Sequence, residues 1–486
     1  MATMQADAGR YATPGKSRRR KQAMGTGTQL LLSFLLIADL FLLYTAIMQL
    51  THTQKVMELS TGTTYAALAV LGVGAVILGA AVILSGAWKR ALCMLLVFLI
   101  LYLIIVFSNV PFIKKYRDIW ISTAMNTMRH QGLATYYFPA SVVDELTGRE
   151  AEARNKQVGD NTIYIPDYDA GEKPWMTDPA QGEGLAAPDE AIEELPEDQK
   201  YFYRLFYELD YESASAYFAA HPDVTANGYA HIMINESRIG GDGTSIRTKL
   251  GEKVLAIDTE NQILILEVDA DGARGVMAIA KDPTMLHLCP ATTLPAYGQV
   301  VGKIAKNNNG ILAMTGSGFI DEGGSGNGGQ IAGFARCGGK DYGRHYGWGY
   351  KRLELHDNDW FYLRDAFTDC SDSATDAMEF QPGLLINGER LDPLGWTGLQ
   401  PRACIGQSSR GEILMLCVEG RGAGGSWGCS VVVCADILLQ HDGINAINCD
   451  GGTTAIMWYR GEPIMRCSNS AIPQGRYLPN AWVIIP

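Results

Sequence analysis

Three long apolar runs lie near the start of the chain, each separated from the next by a short polar segment. They extend from Leu30 to Leu50, from Tyr65 to Trp88 and from Leu92 to Val110. Each run has about 20 residues, the length that an α-helix needs to cross a bilayer. A cleaved secretion signal would be a single, shorter run followed by small residues. The pattern therefore predicts an anchor of three transmembrane helices over residues 28–111, behind a basic tail of residues 1–27.

The basic residues predict which side of the membrane each segment occupies. Six Lys and Arg residues precede the first span, the second loop holds Lys89 and Arg90, and the first loop has only Lys55. Because short cytoplasmic segments are enriched in Lys and Arg, the tail and the second loop are predicted to be cytoplasmic. Three spans then leave the C-terminal part outside the cell. A smaller basic cluster at residues 114–117 favours the opposite orientation.

Residues 112–200 show two successive patterns. From Tyr116 to Phe138 apolar residues recur at roughly helical spacing, which predicts an amphipathic helix beside the membrane. Such a helix either lies on the outer membrane surface or packs against the next domain, and the pattern does not separate the two. From Glu150 to Lys200 the chain is acidic, with scattered prolines and no apolar period. A linker or irregular surface segment is predicted there.

The remaining chain predicts an α+β fold. Residues 201–290 begin with a short helix from Tyr201 to Phe218 and continue as a small β-rich module with alternating apolar positions. Residues 291–486 mix strands and helices without strict alternation, which favours a mixed β-sheet with flanking helices. The predicted strands are Val254–Asp258, Ile263–Val268, Gly310–Met314, Ile413–Val418, Asn445–Asn448 and Ala481–Ile485, and the predicted helix is Val431–Leu439.

Composition narrows the classes of partner. The net charge of −12 arises outside the basic tail, so the C-terminal part is acidic and no nucleic-acid partner is expected. The ten cysteines stand singly in apolar or Gly-rich stretches and show no metal-ligand spacing. Buried free thiols are expected, with one or two disulfides as the alternative. The sequence does not indicate an oligomeric state.

Three arginines and one carboxylate in the last third of the chain form the candidate site. Arg402, Arg421, Asp450 and Arg476 each stand next to Gly or Pro, which predicts fixed charges on tight turns. Arginine presents a planar fork that matches phosphate oxygens two at a time. Glycine lets backbone N–H groups approach a ligand closely. The constellation therefore predicts a site for a phosphorylated or otherwise anionic ligand.

Several short motifs in a fixed order resemble the phosphodiester glycosidase family, which includes the lysosomal enzyme that removes N-acetylglucosamine from a phosphodiester. The motifs are Gly316-Ser317-Gly318-Phe319, Gln400-Pro401-Arg402, Ile405-Gly406, Glu419-Gly420-Arg421, Ser426, Gly428, Asn445 to Asn448, Asp450-Gly451-Gly452, Arg476 and Asn480. The resemblance covers residues 291–486. The three spans and the strand module also resemble a bacterial membrane-anchored branch that is described as exopolysaccharide biosynthesis proteins.

The resemblance implies cleavage of a bond between the anomeric carbon of a sugar and a phosphate oxygen. Asp450 is then the first candidate for base or nucleophile, Glu419 the second and Asp321 the third, with Arg421 beside them. The residues expected to bind phosphate or substrate are Arg402, Arg476, Gly451, Gly452, Thr454 and Ser317. The implied partners are a carbohydrate or glycosyl-phosphate substrate and the lipid bilayer. A non-catalytic polysaccharide-binding or assembly factor is the alternative, and a plain α-glycosidase is a third.

The chain departs from the family pattern at two positions. Glu419 stands where the family usually has Asp, and Thr453 stands where it usually has Gly or Ser. A β-branched residue would fit position 453 poorly if the backbone there needs a positive φ.

Two structural alternatives and one cofactor alternative accompany the site. Ion pairs of Arg421 with Glu419 and of Arg476 with Asp450 would hold the fold without touching ligand. No cofactor is expected, although Asp321, Glu322 and Asp450 offer oxygen ligands for Ca²⁺.

Overall fold

The computed structural model describes residues 24–51, 61–128, 130–163, 165–166, 190–241, 243–347 and 349–486. Three apolar helices come first: α1 (Thr26–Thr51), α2 (Thr61–Leu84) and α3 (Trp88–Phe107). Each is long and apolar enough to cross a membrane, in agreement with the three predicted spans. They form one compact unit up to Ile105, and a second unit runs from Val106 to Pro486. Most of the predicted basic tail and the loop with Lys55 lie outside the described residues.

The second unit begins with the helices α4 (Pro111–Met125), α5 (Gly132–Thr135) and α6 (Ala140–Lys156). The buried side chains of α4 are Ile121, Ser122 and Ala124, and its exposed apolar side chains include Phe112, Tyr116 and Trp120. The buried face packs on the following domain, where the N–H of Gly398 donates to Ser122 Oγ at 2.9 Å. Of the two predicted placements, packing against the domain is therefore present.

The start of the predicted linker is packed rather than irregular. Helix α6 extends to Lys156, and the next residue, Gln157, is buried. Its side-chain amide donates to the carbonyls of Gly383 and Leu391 at 3.1 and 3.0 Å. These contacts span more than 200 residues of sequence, so the composition of the segment did not reveal them. Residues 167–189 lie outside the described part of the chain.

The predicted helix from Tyr201 to Phe218 is two helices. Three helices lie in this region: α7 (Glu190–Glu193), α8 (Glu197–Leu205) and α9 (Tyr211–Ala220). Helix α8 ends at Leu205, and Asp210 begins the next helix by accepting a hydrogen bond from the Ser213 N–H at 2.9 Å. This N-cap stops the apolar pattern from forming one continuous helix.

A nine-stranded sheet forms the centre of the second unit. Its strands are β1 (Met233–Asn235), β2 (Lys253–Asp258), β3 (Ile263–Ala270), β4 (Ala273–Ala280), β12 (Gly383–Ile386), β13 (Glu389–Arg390), β14 (Arg402–Ser408), β15 (Ile413–Val418) and β16 (Gly443–Asn448). Their order is β1-β2-β3-β4-β15-β14-β16-β12-β13. Since β4 pairs with β15 along its length, the sheet continues across the predicted boundary at residue 290. Helix α11 (Val431–Gln440) packs beside β16.

Two five-stranded sheets complete the fold. One contains β7 (Phe334–Cys337), β8 (Lys340–Gly343), β9 (Lys351–His356), β10 (Phe361–Asp365) and β11 (Ala374–Phe380). The other contains β5 (Leu286–Pro290), β6 (Leu312–Thr315), β17 (Met457–Tyr459), β18 (Glu462–Pro463) and β19 (Asn480–Ile484), with α10 (Val301–Asn307) against it. Short 3₁₀ helices lie at Tyr229–His231, Pro283–Met285, Glu322–Gly324, Ala423–Gly425 and Gly452–Thr454. The α+β class is confirmed, and the strand pairs among the described residues are antiparallel rather than mixed in direction.

Candidate functional site

Asp450 lies just past the end of β16, on a turn that is held from two sides. Its backbone N–H donates to the Gly316 carbonyl at 3.2 Å, and the N–H of Gly452 donates to the Pro401 carbonyl at 2.9 Å. A Cβ atom on Gly451 would lie 2.8 Å from that same carbonyl, so this position excludes a larger residue. The turn therefore fixes Asp450 between the end of β6 and the start of β14.

Gly452 supplies the positive φ that this turn requires, at 68°. A Cβ atom there would lie 2.9 Å from Arg421 Nη2, so glycine is also needed for space. Thr453 follows within the 3₁₀ helix Gly452–Thr454 and has no positive φ. The condition under which threonine would fit poorly at position 453 is therefore not met, because the preceding residue adopts the positive φ. The Thr453 hydroxyl instead accepts a hydrogen bond from Arg421 Nη1 at 3.4 Å.

The Asp450 carboxyl has an unusual proton affinity. Its pKa is raised from 3.8 to about 7, chiefly because burial disfavours the charged form. The nearby Asp321 carboxylate also raises this pKa, whereas the Thr454 hydroxyl, the Arg476 charge and the Gly451 N–H lower it. A carboxyl that exchanges its proton near neutral pH has the property that general acid–base catalysis requires.

Arg402 is buried at the start of β14 and is bound by backbone carbonyls. Its Nε donates to the Cys429 carbonyl at 3.1 Å, and its Nη2 donates to the Gly398 carbonyl at 2.8 Å. Its guanidinium also lies 5.7 Å from the centre of the Trp396 ring. These bonds join β14 to the segment before it and to the approach of α11, so Arg402 holds the backbone around the site.

Arg421 stands on the turn after β15, at a φ of 55°. Its Nε and Nη2 both donate to Gln400 Oε1, at 3.1 and 2.9 Å. Burial and the positive charges of Arg402 and Arg476 lower its pKa, and the Asp450 carboxylate opposes this. Because charges perturb one another appreciably only at short range, the three arginines and Asp450 share one electrostatic environment.

Arg476 pairs with Asp321 and not with Asp450. Its Nη1 and Nη2 reach the two carboxylate oxygens of Asp321 at 2.5 and 2.8 Å, and Nη2 also donates to the Gly326 carbonyl at 2.8 Å. The N–H of Gly326 donates back to Asp321 Oδ1 at 2.7 Å. The predicted alternative of an ion pair between Arg476 and Asp450 is therefore wrong. Arg476 forms its ion pair with Asp321, which the loop after β6 brings closer.

Glu419 is buried and has two partners that the motif did not reveal. Its Oε1 accepts from Arg274 Nη1 at 2.9 Å and from the Arg466 N–H at 2.8 Å. The Arg466 guanidinium approaches Glu419 Oε2 at 3.4 Å. Arg421, two residues along the chain, points to Gln400 instead, so the alternative of an Arg421–Glu419 pair is wrong. Arg274 lies on β4 and carries no sequence signal, because strand pairing alone brings it here.

Ser317 and Asn480 hold the segment after β6 beside Asp450. The Ser317 N–H donates to Asn480 Oδ1 at 2.7 Å, and Asn480 Nδ2 donates to Ser317 Oγ at 3.0 Å. Both residues are fully buried. A Cβ atom on Gly316 would lie 2.3 Å from Asn480 Oδ1, which explains the glycine at this position. Ser317 therefore positions the backbone that accepts the Asp450 N–H.

Gln400 is a site residue for which no separate role was predicted. Besides accepting from Arg421, its Nε2 donates to the Thr123 carbonyl of α4 at 2.7 Å. The Leu399 N–H donates to Thr123 Oγ1 at 2.9 Å. One side chain thus joins α4 to Arg421. The only sequence signal for a role of Gln400 was its position directly before Pro401 and Arg402. Its partner Thr123 lies 277 residues away and was not predictable.

Of the three candidate Ca²⁺ ligands, Asp321 is already engaged with a protein group. Both Asp321 oxygens bond to Arg476, and Glu322 is exposed. Within the described part of the chain, no group of three or more His, Cys, Asp or Glu side chains is arranged to hold a metal ion. The ten cysteines are unbridged, and eight of them are buried.

Comparison with known proteins finds a family match for the C-terminal part of the chain. The family model described as phosphodiester glycosidase matches residues 308–485. No curated protein matches the chain. Among solved structures, the auto-inhibited catalytic domain of zebrafish N-acetylglucosamine-1-phosphodiester alpha-N-acetylglucosaminidase is 18% identical, with a TM-score of 0.38 over 46% of this chain and 82% of that one.

Two further solved structures show weaker similarity. A hypothetical protein from Synechocystis is 16% identical, with a TM-score of 0.34 over 48% of this chain and 63% of that one. A putative exported protein from Burkholderia pseudomallei is 11% identical, with a TM-score of 0.32 over 46% of this chain and 74% of that one.

Proposed function

We propose that the phosphodiester glycosidase domain at residues 308–485 hydrolyses the bond between the anomeric carbon of a sugar and a phosphate oxygen. One observation carries this proposal: Asp450, whose pKa is raised to about 7, lies among the charges of three arginines in a segment that matches this family. Such a carboxyl suits proton transfer near neutral pH. The arginines suit an anionic leaving group.

The leaving group explains why arginines outnumber carboxylates. In the hydrolysis, a water oxygen bonds to the anomeric carbon and the bond from that carbon to the phosphate oxygen breaks. The phosphate leaves with the bonding electrons as a phosphomonoester, and the proton of the water passes to Asp450. Phosphate spreads negative charge over its own oxygens, so it needs a cationic clamp more than a proton donor.

A two-step route uses the same groups. If the Asp450 carboxylate itself attacks the anomeric carbon, the bond to the phosphate oxygen breaks, the phosphomonoester leaves and a glycosyl ester remains. In a second step water hydrolyses this ester, which releases the sugar and restores the carboxyl. Glu419 is the second candidate for this work, but Arg274 and Arg466 already occupy its oxygens. Asp321 is the third, and Arg476 occupies it in the same way. Asp450 is therefore the carboxyl assigned to the reaction.

The setting of the reaction is the outer face of a membrane. Three helices long enough to cross a bilayer precede the domain, and the basic residues before the first span favour a cytoplasmic N-terminus. An odd number of spans then supports a location of residues 111–486 outside the cell. The substrate is accordingly a cell-surface or secreted glycan that carries a sugar-1-phosphodiester, such as an exopolysaccharide.

A non-catalytic role in binding or assembling such a glycan is the second candidate. The observation in its favour is that Arg402, Arg421 and Arg476 all bond to protein acceptors, so part of each guanidinium holds the fold rather than a leaving group. A protein that binds glycan without turnover has no need for the raised pKa of Asp450.

The deciding experiment uses the purified full chain in detergent and a panel of glycosyl phosphodiesters. Mass spectrometry is expected to detect a free sugar together with a phosphomonoester. Asp450→Asn is expected to remove this turnover, while Asp372→Asn, an exposed carboxylate on a turn, leaves it unchanged. Full activity in Asp450→Asn would overturn the assigned role. Glycan binding without turnover across the panel would favour the second candidate.

A further inference from the structure

Each of the three predicted arginines already donates to protein acceptors. Arg402 bonds to two carbonyls, Arg421 bonds to Gln400, and Arg476 forms a two-point pair with Asp321. A phosphate that binds there shares each guanidinium with these protein acceptors, because only some of its five donors are left over. An additional cation without such a partner would bind phosphate at lower cost, because it gives up no existing bond.

Arg154 is such a cation, and it lies outside the segment that matches the family. It stands in the last turn of α6 and is partly buried. Its guanidinium lies 5.7 Å from the centre of the Trp396 ring, the same distance as that of Arg402. In the part of the chain that the structure describes, the Arg154 guanidinium makes no hydrogen bond and no ion pair within bonding distance. Burial lowers the pKa of Arg154, and the Glu150 carboxylate one helical turn before opposes this.

Tyr350 connects Arg154 to Asp450. Burial and the neighbouring Tyr346 raise the pKa of the Tyr350 phenol; the Asp450 carboxylate raises it further, whereas the Arg154 charge lowers it. The phenol therefore lies within electrostatic range of both charged groups. Its oxygen also accepts a hydrogen bond from Gln381 Nε2 at 3.1 Å. The Gln381 carbonyl in turn accepts from Asn448, two residues before Asp450, at 2.9 Å.

Two loop segments, one with Gly349 and one with Gly395, lie close against helix α6 at Arg154. A Cβ atom on Gly349 would lie 3.7 Å from Arg154 Cβ, and one on Gly395 would lie 3.5 Å from Ala153 Cβ. On the preceding turn of the helix, Glu150 Oε1 accepts from the Thr397 N–H at 3.2 Å. Helix α6 is thus held against the segment that carries Trp396. These contacts fix the backbone of the helix at Arg154.

We infer that Arg154 binds the phosphate group of the substrate, so that helix α6 supplies one wall of the site together with Trp396 and Tyr350. This inference rests on the proposed function, since it names the residue that recognises the phosphodiester. The guanidinium has five donors and none of them makes a hydrogen bond to the described residues, so a pair of them can bind one phosphate in the fork arrangement. The Trp396 ring, which both Arg154 and Arg402 approach, holds the two cations beside each other.

The test measures the binding of inorganic phosphate to the full chain in detergent by isothermal titration calorimetry. Arg154→Gln, which keeps the size but removes the charge, is expected to weaken phosphate binding by about tenfold to a hundredfold. Arg154→Lys is expected to lie between this variant and the parent, because lysine offers a point charge without the fork. Lys156→Ala on the same helix is the matched control, since its ammonium is exposed and pairs with Glu152, and it is expected to bind as the parent does.

Turnover on the phosphodiester panel separates this inference from the proposed function. A higher KM in Arg154→Gln, with the parent's KM in Lys156→Ala, supports the inference. Parent-like phosphate binding in Arg154→Gln, or no phosphate binding by the parent, overturns it even where turnover persists. Phosphate binding that depends on Arg154 without any turnover would leave the inference standing and remove the catalytic function. Circular dichroism of both Arg154 variants checks that they are folded.

Discussion

Two regions of the second unit hold the candidate site by different means. Strands β14, β15 and β16 carry it on continuous antiparallel pairing, and every residue of these three strands is buried. Helices α4 and α6 reach it through individual side chains, such as Ser122 and Glu150, which accept backbone N–H groups from residues 397 and 398. The strands thus supply the frame, and the helices fix the loop that enters it.

The two kinds of support differ in how they fail. Strand pairing is distributed over many backbone bonds and much apolar surface, so one lost side chain removes a small share of it. The helix contacts are few and join residues 276 positions apart in the chain, as Ser122 and Gly398 do. Each buried N–H that loses its acceptor carries the full cost of desolvation. The loop at 397–400 is therefore the more fragile half of the site.

Removing the helices is expected to have the largest effect. A chain of residues 106–486 keeps α4 to α6, whereas a chain of residues 201–486, cut where composition suggests a boundary, loses them. The longer chain is expected to hydrolyse the phosphodiester panel, and the shorter one is expected to show no measurable turnover. The reason is that Gln400 loses the Thr123 carbonyl and the site loses Arg154. Equal turnover by the two chains would show that the strands alone build the site.

The pH dependence of turnover tests Asp450, which lies in the part of the site that the strands carry. If Asp450 acts as a base with a pKa of about 7, kcat/KM should rise about tenfold for each pH unit below that value and level off above it. A profile that stays flat between pH 5 and pH 8 would contradict a base at this position. The Arg154→Gln variant is expected to keep the shape of the profile while its KM is higher.

The pH dependence of folding stability is a second test of the raised pKa of Asp450. The folded-state pKa is raised above 3.8, so between that value and about 7 the native state binds the proton that the unfolded state has released. Stability should therefore fall as pH rises through this window. Asp450→Asn avoids this loss, so its melting temperature relative to the parent should be higher at pH 8 than at pH 4. An equal difference at both values would mean that the group is not perturbed.

A smaller effect is expected from Gln400→Ala, which removes the side chain that both regions share. Arg421 loses its acceptor and α4 loses one donor, so kcat/KM is expected to fall about tenfold. Gln330→Ala, at an exposed position, is the control and is expected to match the parent. If Gln400→Ala keeps full activity, α4 does not act on the site through Arg421.

The smallest effects are expected at two glycines, of which Gly398 lies against helix α4 and Gly148 lies within helix α6. A Cβ atom on Gly398 would lie 2.5 Å from the Thr123 backbone nitrogen, so Gly398→Ala should destabilise the protein by about 1–3 kcal/mol. Gly148 in α6 has no atom within 4 Å of its would-be Cβ. Gly148→Ala should therefore stabilise the helix by about 0.5–1 kcal/mol. Thermal unfolding of both variants measures the contrast, and the same sign for both would contradict the described packing.

Local pattern predicted the strands of the site but not its partners. Ile413–Val418 is both the predicted strand and β15, because a short apolar run flanked by turn residues leaves little alternative. The glycines around Asp450 were also informative, since Gly452 does adopt a positive φ. The partners of Glu419 and Arg476 were not predictable, because Arg274 and Asp321 reach them only through the three-dimensional fold. Arg154 was not predicted as a site residue for the same reason. It also stands at the start of an acidic segment, which was predicted to be a linker.

The pairing of β4 with β15 has a consequence for anyone who isolates the segment that matches the family. Residues 308–485 include β15 but not β4, so excision would leave β15 with an open edge of six residues that are all buried in the intact chain. A long apolar edge without charges or proline is a template for pairing with other copies. Such a fragment should be recovered as insoluble aggregate, and adding back the β1–β4 strands should make it soluble.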